Sequence, residues 1–208
     1  GIVGWLARRR PGWQPARILD LGCGVGHNTV PIAKAFPQSR VVAVDLAAPM
    51  LRYGHARARG MDIENIEFRQ ANVESLADAD SAYDLIVSTM FFHETSSRAL
   101  RNVLQEAARL LAPGGLHLHL EQPPYHAMEP FEQFLRDWDC YYNNEPFWTT
   151  VHDTQMLDVM RQCGFAADAL FEDEIHAVVD LQMPKVGAEV EDFGRGGMWY
   201  AFGAERAA

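Results

Sequence analysis

Residues 18 to 26 read Ile18-Leu19-Asp20-Leu21-Gly22-Cys23-Gly24-Val25-Gly26, an apolar strand that runs straight into a turn with glycine at every second position. An amphipathic stretch from about Asn28 to Phe36 follows, so the local order is strand, tight turn, helix. Glycine at such a turn permits positive φ and lets a ligand approach the backbone without meeting a Cβ atom. The spacing is G-x-G-x-G. A dinucleotide fingerprint would need its third glycine at position 27, which is His27, and the Gly-Lys-Ser/Thr of a phosphate loop is absent.

A second apolar run, Val41-Val42-Ala43-Val44, ends in Asp45, nineteen positions after Gly26. A carboxylate at the tip of the second strand of a βαβ unit sits where it can accept both hydroxyls of a ribose. With these residues the chain resembles the class I S-adenosylmethionine-dependent methyltransferases: Asp20 to Gly26 is similar to their first motif, and Asp45 to their ribose acid. The resemblance spans roughly residues 17 to 120. It implies methyl transfer from S-adenosylmethionine, leaving S-adenosylhomocysteine, on a Rossmann-like, doubly wound seven-stranded sheet. The last strand is antiparallel and helices cover both faces.

The pattern of elements agrees with that sheet. Strands are expected at Arg17 to Leu21, Val41 to Asp45, Ile66 to Gln70, Tyr83 to Thr89 and Leu116 to Glu121. Helices are expected from about Asn28 to Phe36 and Pro49 to Arg59, with Gly60 as a left-handed stop. Leu100, Val103, Leu104, Ala107, Leu110 and Leu111 form one stripe of a further helix, ended by Pro113-Gly114-Gly115. Gln155 to Cys163 reads as a helix closed by Gly164. Strands at about Ala169 to Val179 and Met198 to Ala204 flank a Gly-rich loop from Pro184 to Gly197. The 208 residues, 48% of them hydrophobic, suffice for a single domain, with the core at 17–121 and 152–208. Gly1 stands where an initiator methionine is normally found, so a processed or truncated start is expected.

The segment 122–151 departs from this regularity. It holds eight aromatic residues and four prolines, against 11% aromatics in the whole chain, and Arg136 is its only Lys or Arg. Phe131, Phe134, Leu135 and Trp138 fall at helical spacing, and Trp138 is expected in a small core. The segment reads either as a satellite core under a long connection or as a lid over a substrate pocket after the fifth strand. A lid of this composition suits a small, largely apolar or aromatic acceptor.

The formal net charge of −10 argues against a nucleic-acid partner, and no apolar run has the length of a membrane span. Cys23, Cys140 and Cys163 form no C-x-x-C pair, which fits a reducing, cytoplasmic setting. His117 and His119 share a strand face without an obvious third ligand, so no metal is expected.

The resemblance then distributes roles. Gly22, Cys23, Gly24, Gly26 and Asn28 would border the methionyl part of the cofactor, with Asp20 bonding glycine-loop N–H groups or facing its ammonium. Asp45 would hold the ribose, while Leu46 and Met50 pack on the adenine. The Asn72 carbonyl would accept from the adenine amino group, and the Val73 N–H donate to the ring. Thr89 and Met90, at the end of the fourth strand, would border the cofactor. Phe92, His93 and Glu94 would then lie beside the acceptor, with His93 a general base oriented by Glu94. Alternatively, His93 caps the next helix, with Glu94 in its first turn. Glu121, His126, Tyr142 and Trp148 are further candidates for touching the acceptor, Glu121 being otherwise a solvated strand end. Two other functions stay open: a domain that binds S-adenosylmethionine without methyl transfer, and a nicotinamide-dependent oxidoreductase.

Overall fold

The computed structural model describes residues 1–176 and 198–208. Its centre is a seven-stranded sheet in the order β3-β2-β1-β4-β5-β7-β6. The strands are β1 (Arg17–Leu21), β2 (Arg40–Asp45), β3 (Ile66–Gln70), β4 (Tyr83–Thr89), β5 (Leu111–Glu121), β6 (Leu170–His176) and β7 (Met198–Glu205). The first five pair in parallel, and β7 runs antiparallel between β5 and β6. The strand order reverses between β1 and β4, the switch point at which ligands bind beyond the carboxyl ends of the strands.

Because strand side chains alternate, each strand feeds two cores. Leu19, Leu21, Val42, Val44 and Ile86 pack beneath α4 (Ser97–Leu110) and α7 (Met156–Gln162). Ile18, Val41, Leu85, Val87, Leu116, Leu118 and Leu120 pack on the other face, against α1 (Ile2–Arg9) and α2 (Thr29–Ala35). On β5 this alternation sends His117, His119 and Glu121 to the α4 and α7 side. Burial on both faces explains why the central strands β2 and β4 read as near-continuous apolar runs.

Three local expectations are corrected. Gly60, after α3 (Ala48–Arg59), has φ −65°, and Asp62 takes the left-handed conformation instead. β5 begins at Leu111, ahead of Pro113, with an irregularity opposite Tyr83 and Leu85. The chain start, given no element in the sequence reading above, is α1: it buries Ile2, Trp5 and Leu6, and Trp5 Nε1 donates to Asp173 Oδ2 at 2.7 Å. Residues 177–179 of the expected sixth strand and the loop to Gly197 lie outside the described residues.

The aromatic segment forms α5 (Pro130–Tyr142) and α6 (Trp148–His152). α5 is amphipathic but faces the opposite way from the expectation. Cys140 is buried and Gln133 Nε2 donates to the carbonyls of Tyr125 and Met128, while Phe131, Phe134, Leu135, Trp138, Tyr141 and Tyr142 are 48–80% exposed. Trp138, expected in a core, lies on this outer stripe. α6 packs instead on the 3₁₀ turn Phe92–Glu94 that follows β4.

Candidate active site

The glycine turn and the tips of β1, β2, β4 and β5 meet at one end of the sheet. Gly22, Gly24 and Gly26 all have positive φ, but for different neighbours. A Cβ on Gly22 would lie 2.1 Å from the Phe91 ring, so Phe91 rests directly on the turn. At Gly26 the constraint is Phe68, 3.3 Å away. Only Gly24 looks outward, with Met50 Sδ at 3.9 Å as its nearest neighbour. The backbone is therefore open to a ligand chiefly at Gly24, and the other two glycines serve internal packing.

Asp45 is built into the same turn. Its Oδ2 accepts from Gly24 N and its Oδ1 from Ala47 N, both at 2.8 Å. Each oxygen keeps a lone pair for a further donor, as ribose hydroxyls require. Leu46 and Met50, 65% and 48% exposed, stand next to it. Asp20 lies below, buried, accepting from Thr29 Oγ1 at 2.6 Å. Burial pushes its carboxyl up to about 7, Thr29 restrains the rise and the charge of Asp45 adds to it. Cys23 is buried as well, its N–H on the Val44 carbonyl at 3.0 Å and its thiol pushed up by burial and by Asp20 and Asp45. Asn28 is half-buried at the start of α2 and makes no side-chain cap. These groups fit the cofactor that the sequence implies: an outward glycine, a pre-bonded carboxylate and an exposed apolar pair beside it.

Asn72 fits less directly. Its Oδ1 accepts from Glu74 N at 3.0 Å in a local turn, and Val73 turns its side chain into the core. Thr89 Oγ1 is buried without a partner among the described residues, and Met90 holds a positive φ of 52°.

Beyond β4 the geometry reassigns several residues. Phe92 is fully buried, in edge contact with His119 and beside Phe202, so it belongs to the core rather than beside the acceptor. Ser96, not His93, caps α4, accepting from Ala99 N at 3.2 Å. Glu121 is neither a solvated strand end nor free for an acceptor: it is 1% exposed. Its Oε1 accepts from Phe91 N at 2.7 Å and Phe92 N at 2.6 Å, and its Oε2 meets His93 Nδ1 at 2.8 Å. The partner that orients His93 is thus Glu121. Glu94 is largely exposed, with Oε1 3.6 Å from His93 Nε2.

His93 is 6% exposed, and Trp148 of α6 stands edge-on to its ring, centroids 5.0 Å apart. Burial alone would lower the imidazole pKa. The hydrogen bond and charge of Glu121, with the charges of Glu94 and Glu145, outweigh it and raise the group above its ordinary value. Trp148 Nε1 is buried without a partner among the described residues. His152, one turn on, bonds Pro123 O through Nδ1 at 2.7 Å and tethers α6 to the chain leaving β5.

Two candidates lie away from this cluster. His126 is exposed and contacts Gln155 at 3.3 Å, and Tyr142 is on the outer stripe of α5, its ring tilted against that of Trp138 with centroids 4.4 Å apart. His117 and His119 bond each other inside the core, His119 Nδ1 also meeting Ser88 Oγ at 2.5 Å. Phe91, whose ring covers Gly22, escaped the sequence reading. The strand-end position next to Met90 was its only signal. A cavity of about 760 Å³ at the opposite end of the sheet is bordered by Arg10, Arg109 and Arg206. All three already bond carboxylates or carbonyls.

Comparison with known proteins agrees with this geometry. Residues 18–115 match the model of a methyltransferase domain. A malonyl-[acyl-carrier protein] O-methyltransferase of Methylococcus capsulatus is 38% identical over 107 residues, 51% of this chain and 38% of that protein. A ubiquinone/menaquinone biosynthesis C-methyltransferase of Brucella abortus is 37% identical over 124 residues, 58% of this chain and 44% of that protein. The chain thus spans less than half the length of these relatives. Among solved structures, an S-adenosylmethionine-dependent methyltransferase of Methanosarcina mazei shares the fold, with a TM-score of 0.64 at 18% identity and 93% of each chain covered. The sheet order and the glycine turn with its bonded Asp45 agree with the matched stretch in giving residues 18–115 the features of a methyltransferase domain.

Proposed function

We propose that this chain transfers a methyl group from S-adenosylmethionine to a small acceptor with apolar or aromatic bulk, and that His93 takes up the acceptor's proton. The observation that carries the reading is the pairing of His93 with Glu121 at the switch-point end of the sheet, beside Phe91 on the glycine turn. Gly24, Asp45, Leu46 and Met50 would hold the cofactor, with Asp20 and Thr89 behind it. When bound, S-adenosylmethionine supplies a methyl group already activated on a sulfonium, so the protein's task is mainly to align and to exclude water.

α6 serves as the inner wall of the lid, since Trp148 covers one side of His93. Its apolar surface and the lack of Lys on the segment favour a neutral acceptor. The relatives' names mention a carrier-bound malonyl group and quinones, so acyl thioesters and quinols are sensible first acceptors to try. No helix among the described residues is long and apolar enough to cross a membrane, and the three free thiols suit a reducing compartment.

Thermal-shift and calorimetric titration with S-adenosylhomocysteine, S-adenosylmethionine, NAD and NADP tests the cofactor. Stabilisation by a nicotinamide nucleotide alone would refute it. Screening phenols, quinols, amines and acyl thioesters with labelled S-adenosylmethionine tests the transfer. Label on no acceptor, with tight cofactor binding, would favour a domain that binds without transferring.

A further inference from the structure

We infer that Glu121 is the positioning residue of the site: it fixes which nitrogen of His93 carries the proton, and so leaves Nε2 bare to accept one. Glu121 stands at the end of β5, and His93 lies 28 residues earlier in the turn after β4. One carboxylate oxygen is anchored by two consecutive backbone donors, Phe91 N and Phe92 N, at 2.7 and 2.6 Å. The second oxygen is thereby aimed at Nδ1 of the imidazole, 2.8 Å away. An ionised carboxylate only accepts hydrogen bonds, so Nδ1 must donate, and the neutral ring has its lone pair on Nε2. The whole unit is buried, which makes the alternative tautomer, with two lone pairs facing each other, costly.

The consequence for the acceptor rests on the reading that His93 is the base. An Nε2 lone pair on a ring held through Nδ1 by a buried carboxylate, with the largely exposed Glu94 Oε1 3.6 Å from Nε2, suits an acceptor that must lose a proton to become nucleophilic, such as a phenol- or enol-type hydroxyl. As its oxygen pair forms the bond to the methyl carbon, the hydroxyl proton passes to Nε2, the departing sulfur keeps its bonding pair, and Nε2 returns the proton to solvent. The charges that face His93 are Glu121 from β5, Glu94 from its own turn and Glu145 from the connection before α6; Trp148 brings none. Their net effect raises the group, so the active, neutral ring gains population as pH rises.

Glu121→Gln tests this without removing the anchor. The amide oxygen takes over Phe91 N and Phe92 N, which leaves the amide NH₂ facing Nδ1. That donor forces the neutral ring into the other tautomer, with the proton on Nε2. Nitrogen-15 correlation spectra of the histidine side chains, recorded with S-adenosylhomocysteine present, read this directly. His93→Asn assigns the signal. The expected result is an Nδ1–H ring in the wild type, an Nε2–H ring in Glu121→Gln, and a lower imidazole pKa in the variant. An Nε2–H ring in the wild type overturns the inference even if the variant does not fold, and so does an unchanged tautomer in the variant. With a hydroxyl acceptor from the screen, turnover should fall about a hundredfold or more, as a wrong histidine tautomer does elsewhere. S-adenosylhomocysteine affinity should stay within about twofold of the wild type. A switched tautomer with unchanged turnover supports the placement by Glu121 and overturns His93 as the base.

Discussion

Asp20→Asn isolates the energetic effect of a carboxyl placed beneath the glycine turn. In the folded chain the group ionises near 7, whereas an unfolded aspartate does so near 3.9. Between those values the folded state therefore holds more protons than the unfolded one. The stability associated with the neutral acid is complete below about pH 4 and is lost as pH rises to about 7. Three units at 1.36 kcal/mol each make the full loss about 4 kcal/mol, of which about 1.5 is already gone at pH 5. Asparagine keeps an oxygen for the Thr29 hydroxyl but never ionises. Its amide adds a burial cost of about 1–3 kcal/mol that does not vary with pH. The stability of the variant relative to the wild type should thus increase by about 2–3 kcal/mol between pH 5 and pH 8. Denaturant unfolding of both proteins at the two pH values measures it. A difference that stays constant within about 0.5 kcal/mol would refute the burial of an ionising Asp20.

Asp45→Ala should weaken S-adenosylhomocysteine binding by about 1.5–3 kcal/mol in calorimetric titration, the loss of hydrogen bonds to a charged acceptor. Gly24→Val, whose side chain points outward, should fold yet lose cofactor binding, at a backbone cost of about 1–2 kcal/mol for the left-handed conformation. Gly22→Ala should instead cost stability, about 2–4 kcal/mol from the same strain plus the collision with Phe91, seen as a lower unfolding midpoint. Trp138→Ser, on an exposed face, should leave stability within about 0.5 kcal/mol, while Trp148→Ala should cost about 3–5 kcal/mol in denaturant unfolding.

The sheet was legible because its strands are buried on both faces: Val41 to Val44 and Leu85 to Val87 cannot be placed elsewhere in a chain of this length. The ribose carboxylate was legible for a similar reason, since strand, turn and second strand fix Asp45 by local geometry. α5 shows where periodicity stops informing. Phe131, Phe134, Leu135 and Trp138 announce a stripe, but nothing in their spacing says what it faces, and the structure turns it outward. Glu121 shows the same limit for chemistry. Its three donors come from residues some thirty positions earlier, so only the parallel pairing of β4 with β5 brings them together. α1 left a signal, Ile2, Trp5 and Leu6 at helical spacing, but eight residues at a chain start read more readily as an end than as an element.

The outward face of α5 also has a calorimetric consequence. Its six large side chains keep on the order of 700 Å² in water, taking about 150–250 Å² for each aromatic and the exposed fractions observed. That surface is hydrated before the chain unfolds, so it adds nothing to the heat-capacity increment of unfolding, and the stability curve is correspondingly flatter. At about 0.45 cal/K/mol per Å², the missing increment is roughly 0.3 kcal/mol/K, set against the 2.5–3 kcal/mol/K or so of an ordinary chain of this size. Any body that covers the stripe will therefore carry a thermal signature: an association enthalpy that becomes more negative by about 0.3 kcal/mol for each degree of warming.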